Sequence, residues 1–403
     1  MKEIPKFDFK YLIQHPERPE PPEDFSESAA RNIEAFHSRL PGYRPTNLVR
    51  LGRLARIWGI GDIFIKDEST RFGLKAFKVL GSSYAAARLL SERLGRKAVD
   101  FNYLASAEAR RLLGDATLAT ATDGNHGRGV AWTAQQLGLK AVIYMPARSA
   151  PARVRNIRSH GAIVEVTGLS YDDTVRLCRR TALERGWYVI QDTAWEGYED
   201  VPRWVMQGYL TMCREAVNQM KKQGARPTHV VVQSGVGSLP AAVAAYMADR
   251  FRDRPPRIIV IEPNSAACFF ESACAKDGRP HAAKGNLETI MAGLACGEPN
   301  PIAWNILRDF ADCFMSCGDF VAANGMRILA NPLYPDAQVE SGESGGVGMG
   351  LLDLLMNNPE FETVRQELEI GPDASVLLLN TEGVTDPVNY LEVVWRGKCP
   401  SPF

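Results

Sequence analysis

The stretch VVVQSGVGSLPAAV (residues 230–243) predicts a buried strand, a glycine turn and the start of a helix. Strand, turn and helix in this order form the repeating unit of parallel α/β folds. Gly235 and Gly237 allow backbone N–H groups to converge on an anion at the positive end of the following helix. The spacing is neither GxGxxG nor GxxxxGKS/T, so it favours a small phosphomonoester over a dinucleotide or a nucleoside triphosphate. A tight turn without a ligand would show the same pattern.

Short strands rich in Val and Ile alternate with helical segments along most of the chain. Such strands are typical of parallel sheets covered by helices on both faces, so we predict an α/β fold. Residues 91–199 are a self-contained set of these units, and they predict a smaller domain inserted between residues 1–90 and 200–403 of a larger one. Residues 1–45 are rich in proline and predict an arm or short helices around the body.

The overall composition excludes several classes of protein. The 403 residues include 47 basic and 47 acidic residues, without the basic excess that indicates a nucleic-acid or anionic-membrane partner. No segment approaches the roughly 18 apolar residues of a membrane span. The amino terminus carries acids and prolines where a signal peptide needs an apolar core, so we expect a cytoplasmic protein. The eight cysteines and six histidines form no CxxC or HExxH motif, so we expect reduced thiols and no metal site.

Two further glycine-rich turns accompany the first. TATDGNHGRGVA (residues 120–131) places Asp123 and Asn125 after a strand, where Asn125 can offer an amide to a ring hydroxyl. An Asp-Gly turn capped by the asparagine is the structural alternative, and His126 is interpreted as a structural turn residue. VESGESGGVGMGLL (residues 339–352) is interpreted as a strand exit that leads into a helix. We expect all three turns beyond the carboxyl ends of strands, where open α/β sheets bind ligands.

Two lysines stand at the start of a predicted helix in LKAFKVLGSSYAAA (residues 74–87). Small residues follow Lys78 at helical spacing, as though a flat group approached this face: Gly81, Ser82, Ala85 and Ala86. A lysine near a helix amino terminus and a desolvated surface should have a lowered pKa. A neutral amine can form a Schiff base with an aldehyde cofactor. Lys75 is interpreted as an electrostatic neighbour or a solvated charge, and the alternative is that both lysines are solvated.

Four motifs occur in the order and approximate spacing of fold-type-II pyridoxal-phosphate enzymes, the group of threonine dehydratase, serine racemase and cysteine synthase: ESTRFGLKAFKVLGSSYA, ATDGNHGRGVAW, SGVGS and LLNTEG. Within this group the chain resembles the ammonia-lyases that act on 2,3-diaminopropionate, from YRPTNLVRL through QDTAWEGYEDVP to NTEGVTDP. The resemblance implies two open, mainly parallel sheet domains with pyridoxal 5'-phosphate in the cleft between them. It also implies a homodimer.

The resemblance assigns roles to individual positions. Lys78 would bind the cofactor aldehyde as a Schiff base, and Asn125 would meet the ring hydroxyl. Thr381, where relatives have serine, would be the partner of the pyridine nitrogen and would leave it largely unprotonated. The phosphate would be bound by the backbone amides of Gly235, Val236, Gly237 and Ser238.

The activity implied is an α,β-elimination that converts 2,3-diaminopropionate and water to pyruvate and two ammonia. Asp123 stands where related dehydratases have a serine that receives the substrate carboxylate. The β-ammonium group of 2,3-diaminopropionate would offset the repulsion that an aspartate introduces there. Lys78 would remove the α-proton on one face and Asp123 on the other, so both enantiomers could be substrates. Asp192 could supply another acid, and a turn acid at a strand end is its alternative interpretation.

Two other functions stay open at this point. A serine or threonine dehydratase of the same fold would share the lysine and the phosphate turn. A non-catalytic sensor of pyridoxal phosphate or an amino acid would share them too, although it has no need of two acids near Lys78. A nicotinamide-dependent dehydrogenase would need the fingerprint that the turn lacks.

Overall fold

The computed structural model describes residues 1–147 and 149–402. These residues form two sheets rich in parallel strands, which confirms the predicted α/β class. The strands, numbered in chain order, are β1 (Lys2–Ile4), β2 (Phe9–Ile13), β3 (Asn47–Arg50), β4 (Asp62–Asp67), β5 (Thr117–Ala121), β6 (Lys140–Met145), β7 (Ile163–Val166), β8 (Tyr188–Val189), β9 (His229–Gln233), β10 (Arg257–Pro263), β11 (Cys313–Cys317) and β12 (Ser375–Asn380).

The helices surround these sheets. They are α1 (Glu27–His37), α2 (Gly52–Trp58), α3 (Val79–Arg93), α4 (Phe101–Leu104), α5 (Ala107–Leu113), α6 (Asn125–Leu137), α7 (Pro151–Arg158), α8 (Tyr171–Arg185), α9 (Asp200–Gly208), α10 (Leu210–Lys222), α11 (Ser238–Arg250), α12 (Cys268–Ala275), α13 (Pro301–Phe310), α14 (Asp319–Ala330), α15 (Glu343–Asn357), α16 (Glu362–Leu368) and α17 (Pro387–Val394).

The larger sheet has the strand order β1-β2-β11-β10-β9-β12-β4-β3. Its central strands β11, β10, β9, β12 and β4 pair in parallel, and the outer strands β1, β2 and β3 pair antiparallel. Val231 of β9 stands opposite Ile259 on one side and Leu378 on the other. Because β9 is buried on both faces, it carries an unbroken valine run instead of an alternating pattern.

The amino-terminal segment contains short helices, as predicted, at Pro5–Phe7, Glu23–Phe25 and α1, but it also contains two strands that were not predicted. β2 lies between Pro5 and Pro16 and pairs antiparallel with β11, where Ile13 stands opposite Cys313. Phe9 and Tyr11 are buried, and Lys10 between them is more exposed, as expected for successive side chains on opposite faces of a strand. The prolines therefore flank a strand near one edge of the larger sheet. The proline-rich composition did not indicate this strand.

The smaller sheet has the order β7-β6-β5-β8, and all of its strand pairs are parallel. β5 is central and buried along its whole length. The chain turns after Ala121 and enters α6 at Asn125, so Asp123 stands at the carboxyl end of this sheet.

Two predicted elements differ from the structure. The helix predicted within residues 74–87 begins at Val79, after both lysines. The helical stretch that contacts α3 after β8 is divided into α9 and α10. Gly208, the last residue of α9, packs closely against α3, since a β-carbon there would be 2.4 Å from the carbonyl oxygen of Leu80. The strand expected before α15 is absent, since the described residues 339–342 contain no regular element.

One hydrophobic cluster joins the two sheets. It includes Leu137 and Ile143 beside the smaller sheet and Val230 and Leu377 of the larger one. A shared core holds the loops of the two sheets in a defined relation to each other. Within the described part of the chain, no helix has the length and apolar character needed to cross a membrane.

Candidate active site

One cavity, here called the lysine cavity, brings together most of the predicted site residues. It lies where the turn after β9, the start of α3, the start of α6 and the loop after β12 meet. Its lining includes the predicted residues Lys78, Asn125, Asp192, Gly235, Val236, Gly237, Ser238 and Thr381. Asp123 lines a neighbouring space, here called the outer cleft, together with Arg153, Tyr171, Glu343 and Asp386.

The glycine turn at one end of the lysine cavity cannot accept a side chain at Gly237. Its φ of +94° lies in the left-handed region, and a β-carbon would be 2.1 Å from Cζ of Phe269. α11 begins at the next residue, so its first N–H groups have no partner within the helix. Ser238 is held in place because its hydroxyl donates to the carbonyl oxygen of Asp192 at 2.6 Å and accepts from Nδ2 of Asn300 at 3.1 Å.

Lys78 makes a buried ion pair with Asp192. Its Nζ lies 2.7 Å from Oδ2 of Asp192, and the lysine side chain is 16% exposed. Burial alone would lower the pKa of the Lys78 amine, but the carboxylate of Asp192 raises this pKa above its usual range. The lowered pKa expected from the helix terminus is therefore wrong for the protein with a free Lys78 amine, because a direct carboxylate contact outweighs a helix dipole.

The carboxylate of Asp192 accepts from three side chains, those of Lys78, Tyr171 and Gln191. Burial would raise the pKa of its carboxyl, but the ammonium group of Lys78 holds that pKa well below its usual range. Its Oδ1 accepts hydrogen bonds from the hydroxyl of Tyr171 and Nε2 of Gln191, both at 3.3 Å. His126 donates from Nε2 to the carbonyl oxygen of Ile190 at 2.7 Å, a structural contact of the kind expected for it.

The carboxyl pKa of Asp123 is shifted in the opposite direction from that of Asp192. Burial raises the pKa of its carboxyl, and the attraction of Lys78 and Arg153 opposes that shift only in part. Its Oδ2 lies 3.6 Å from the position of a β-carbon built on Gly293, which lines the lysine cavity. Lys78 therefore interacts electrostatically with two aspartates whose environments move their carboxyl pKa values apart, a pattern that separates acid and base roles.

The side chains of Asn125 and Thr381 line the lysine cavity, and each is held by a hydrogen bond to a neighbouring residue. Nδ2 of Asn125 donates to Oε2 of Glu382 at 2.6 Å, and Nε2 of Gln233 donates to the Thr381 hydroxyl at 2.7 Å. The Glu382 carboxylate also accepts from the backbone N–H of Ser344 at 3.2 Å. Because Thr381 accepts from Gln233, its own hydroxyl proton remains available to a partner in the cavity.

Sequence reasoning overlooked Glu382, which is 1% exposed at the centre of these contacts. The residue lies inside the motif LLNTEG, next to Thr381, and that position after a strand end was the available signal. Ser344 was also overlooked; its hydroxyl is buried in the lysine cavity without a hydrogen-bond partner among the described residues. A buried hydroxyl in this state can hydrogen-bond to a ligand or to an ordered water.

Lys75 lies outside the lysine cavity. Its side chain is 45% exposed, and Nζ is 3.2 Å from the carboxylate of Glu340. This position agrees with its interpretation as a surface charge and leaves Lys78 as the buried amine.

Comparison with known proteins agrees with this geometry. The model of the pyridoxal-phosphate-dependent enzyme family matches residues 39–379. The diaminopropionate ammonia-lyase of Salmonella typhimurium is 48% identical over 92% of this chain and 93% of its own length. The chain belongs to the diaminopropionate ammonia-lyase family of pyridoxal-phosphate-dependent enzymes. The diaminopropionate ammonia-lyase of Escherichia coli strain K12 is 49% identical over 93% of each chain.

Solved structures of this ammonia-lyase family share the fold over nearly the whole chain. The holo enzyme from Escherichia coli superposes with a TM-score of 0.92 at 46% identity and covers 98% of each chain. The same enzyme in complex with D-serine gives a TM-score of 0.91. A threonine deaminase from Solanum lycopersicum, 17% identical with a TM-score of 0.70, shows the fold alone.

Proposed function

We propose that this enzyme is a carbon–nitrogen lyase that converts 2,3-diaminopropionate and water to pyruvate and two ammonia. The observation that carries the proposal is the ion pair of Lys78 and Asp192 beside the glycine turn, in a chain of the diaminopropionate ammonia-lyase family. A buried amine, an anion-binding turn and two unlike acids in one region are the groups that this elimination requires.

The residues of the lysine cavity fit pyridoxal 5'-phosphate. The backbone at Gly235, Val236, Gly237 and Ser238 suits the phosphate, since a β-carbon at Gly237 would close the turn. The Thr381 hydroxyl can donate to the pyridine nitrogen, and the second hydrogen of Asn125 Nδ2 can meet the ring hydroxyl. Lys78 would hold the aldehyde carbon. The unpartnered Ser344 hydroxyl supports this assignment.

The protein groups divide the proton transfers between them. Bound pyridoxal phosphate supplies an electron sink for the charge that develops at the substrate α-carbon. Nζ of Lys78, released as a neutral amine when the substrate amine takes its place, would remove the α-proton on one face, and Oδ2 of Asp192, 2.7 Å away, would stabilise the ammonium that results. Asp123, whose carboxyl has a raised pKa, exchanges a proton on the other face. The β-amine leaves as ammonia once a proton reaches it, and the released enamine is hydrolysed to pyruvate and a second ammonia.

A turnover assay tests this proposal. The purified enzyme with added pyridoxal phosphate should release pyruvate from 2,3-diaminopropionate with a kcat/KM at least about 100-fold above those for serine and threonine. Lys78→Ala should abolish turnover, and Lys75→Ala, the matched exposed control, should retain it. Faster turnover of serine or threonine would identify a dehydratase, and bound cofactor without turnover of any of the three would identify a sensor.

The proposal extends to the organisation of the enzyme. We infer a smaller domain of residues 91–199 within a larger one, supported by the separate parallel sheet β7-β6-β5-β8. We also infer a homodimer in the cytoplasm, supported by the sequence resemblance and the balanced charge. Sedimentation of the purified enzyme checks the dimer, and a monomer at micromolar concentration would contradict it.

A further inference from the structure

Arg153, a residue of α7 that the mechanism above does not use, is a buried cation without a hydrogen bond. Its side chain is only 8% exposed, yet none of its nitrogens donates a hydrogen bond to any residue that the structure describes. The Nε atom is buried and unpartnered. The contact that remains is an ion pair in which Nη2 is 3.9 Å from Oε2 of Glu343, which is beyond hydrogen-bond distance.

The aliphatic part of the Arg153 side chain packs against the turn that carries Asp123. Its aliphatic carbons cover Gly124, where a β-carbon would lie 2.9 Å from Cδ of Arg153. Gly124 follows Asp123 directly, and Asp123 approaches Gly293 on the wall of the lysine cavity. Residues 123 and 124 therefore lie between Arg153 in the outer cleft and the wall of the lysine cavity.

The outer cleft is otherwise acidic. Asp123, Glu343 and Asp386 line it, and of its described lining residues only Arg153 and Lys398 carry a positive side chain. Nζ of Lys398 is exposed and already donates to Oδ1 of Asn389 at 2.7 Å. In this cleft the ammonium group of a substrate can pair with the carboxylates. The carboxylate of the same substrate can pair with one buried guanidinium, that of Arg153.

We propose that Arg153 binds the carboxylate of the substrate and so distinguishes a diamino acid from a simple diamine, an inference that rests on the proposed function. The planar guanidinium can present the parallel N–H donors of its terminal nitrogens to a carboxylate, and such a pair fixes orientation as well as position. Binding would also remove the cost of a buried cation without hydrogen bonds. The acids of the outer cleft then remain for the β-ammonium group.

Inhibition by two small probes tests the proposal. Propionate carries the carboxylate alone, and ethylenediamine carries the amines alone; each is measured as an inhibitor and as a ligand that raises the unfolding temperature of the holoenzyme. In Arg153→Gln and Arg153→Met, the inhibition constant of propionate should rise about tenfold or more and its thermal protection should disappear. The effect of ethylenediamine should persist. Arg155→Gln, an exposed arginine of the same helix, should behave as the unaltered enzyme.

Three results would overturn the proposal. The first is an inhibition constant for propionate that is unchanged in both variants. The second is an equal loss of affinity for propionate and ethylenediamine. The third is an unaltered holoenzyme whose unfolding temperature propionate does not raise. Arg153→Lys retains the charge and guards against misfolding, and its propionate affinity should fall between those of the unaltered enzyme and the glutamine variant. If the unaltered enzyme fails to turn over 2,3-diaminopropionate, the proposed function fails, whereas thermal protection by propionate still decides whether Arg153 binds a carboxylate.

Discussion

Replacement of Gly237 by alanine measures how strictly the turn before α11 depends on glycine. The new β-carbon would be 2.1 Å from Cζ of Phe269 and 3.0 Å from Cβ of Ala303. An L-residue in the left-handed region costs about 1–2 kcal/mol. Displacing a buried ring to relieve overpacking adds about 1–3 kcal/mol. We therefore expect Gly237→Ala to destabilise the cofactor-binding conformation by about 2–5 kcal/mol.

Titration of the apoenzyme with pyridoxal phosphate, followed by cofactor fluorescence, measures this cost. Gly224 provides the matched control, since its φ is +72° but a β-carbon there meets nothing within 4 Å. Gly224→Ala should leave the cofactor dissociation constant unchanged, and Gly237→Ala should raise it by about tenfold or more. Adding Phe269→Leu should recover part of the loss, because the smaller side chain vacates the space. Equal dissociation constants for the two alanine variants would refute the steric reasoning.

Two further substitutions test the acids beside Lys78. Asp192→Asn removes one partner of a buried ion pair, so the apoenzyme should lose about 3 kcal/mol of unfolding free energy. The folded-state pKa of Asp192 is lowered and that of Lys78 is raised, so this difference should be constant between about pH 5 and pH 9.5. It should shrink in stronger acid, as Asp192 is protonated, and in stronger base, as Lys78 loses its proton. A difference in unfolding free energy that stays unchanged in strong acid and in strong base would contradict the ion pair. Asp123→Asn should lower kcat for one enantiomer of 2,3-diaminopropionate by about 100-fold or more and for the other far less, measured as pyruvate release. An equal decrease in kcat for both enantiomers would contradict the assignment of one base to each face.

Local patterns were sufficient for the elements that bind through the backbone. The glycine spacing in residues 234–238 and the valine run of β9 are consecutive in sequence, so the turn, its strand and its helix were all predictable. Lys78 was identified on similar grounds, because the small residues that follow it lie on the same helix.

The protonation of Lys78 was not predictable from its neighbours in sequence. The helix terminus is a local feature, whereas Asp192 is 114 residues away and reaches Nζ only through the fold. Direct contact between buried charges exceeds the effect of a partial helix charge, so the nonlocal partner determines the direction of the pKa shift.

The role of Arg153 and the strand β2 were likewise not predictable from neighbouring residues in the sequence. In PARVRNIR, Arg153 resembles the other arginines of a polar helix, and only packing on Gly124 distinguishes it. β2 lies second from the edge of the larger sheet, and one of its two pairing partners, β11, is 300 residues later, where Cys313 stands opposite Ile13. Pairing of that kind depends on the folded sheet, and the surrounding prolines obscured the alternation that would have indicated a strand.

The most direct test of the site is to locate the lysine that binds the cofactor. Borohydride reduction of the holoenzyme, followed by digestion and mass spectrometry, attaches pyridoxal phosphate permanently to the amine that holds it. Lys78, buried beside Asp192, should carry the label, and Lys75, exposed three residues earlier, should carry none. A label on Lys75, or an unlabelled protein after reduction of the yellow holoenzyme, would contradict the assignment of the active site.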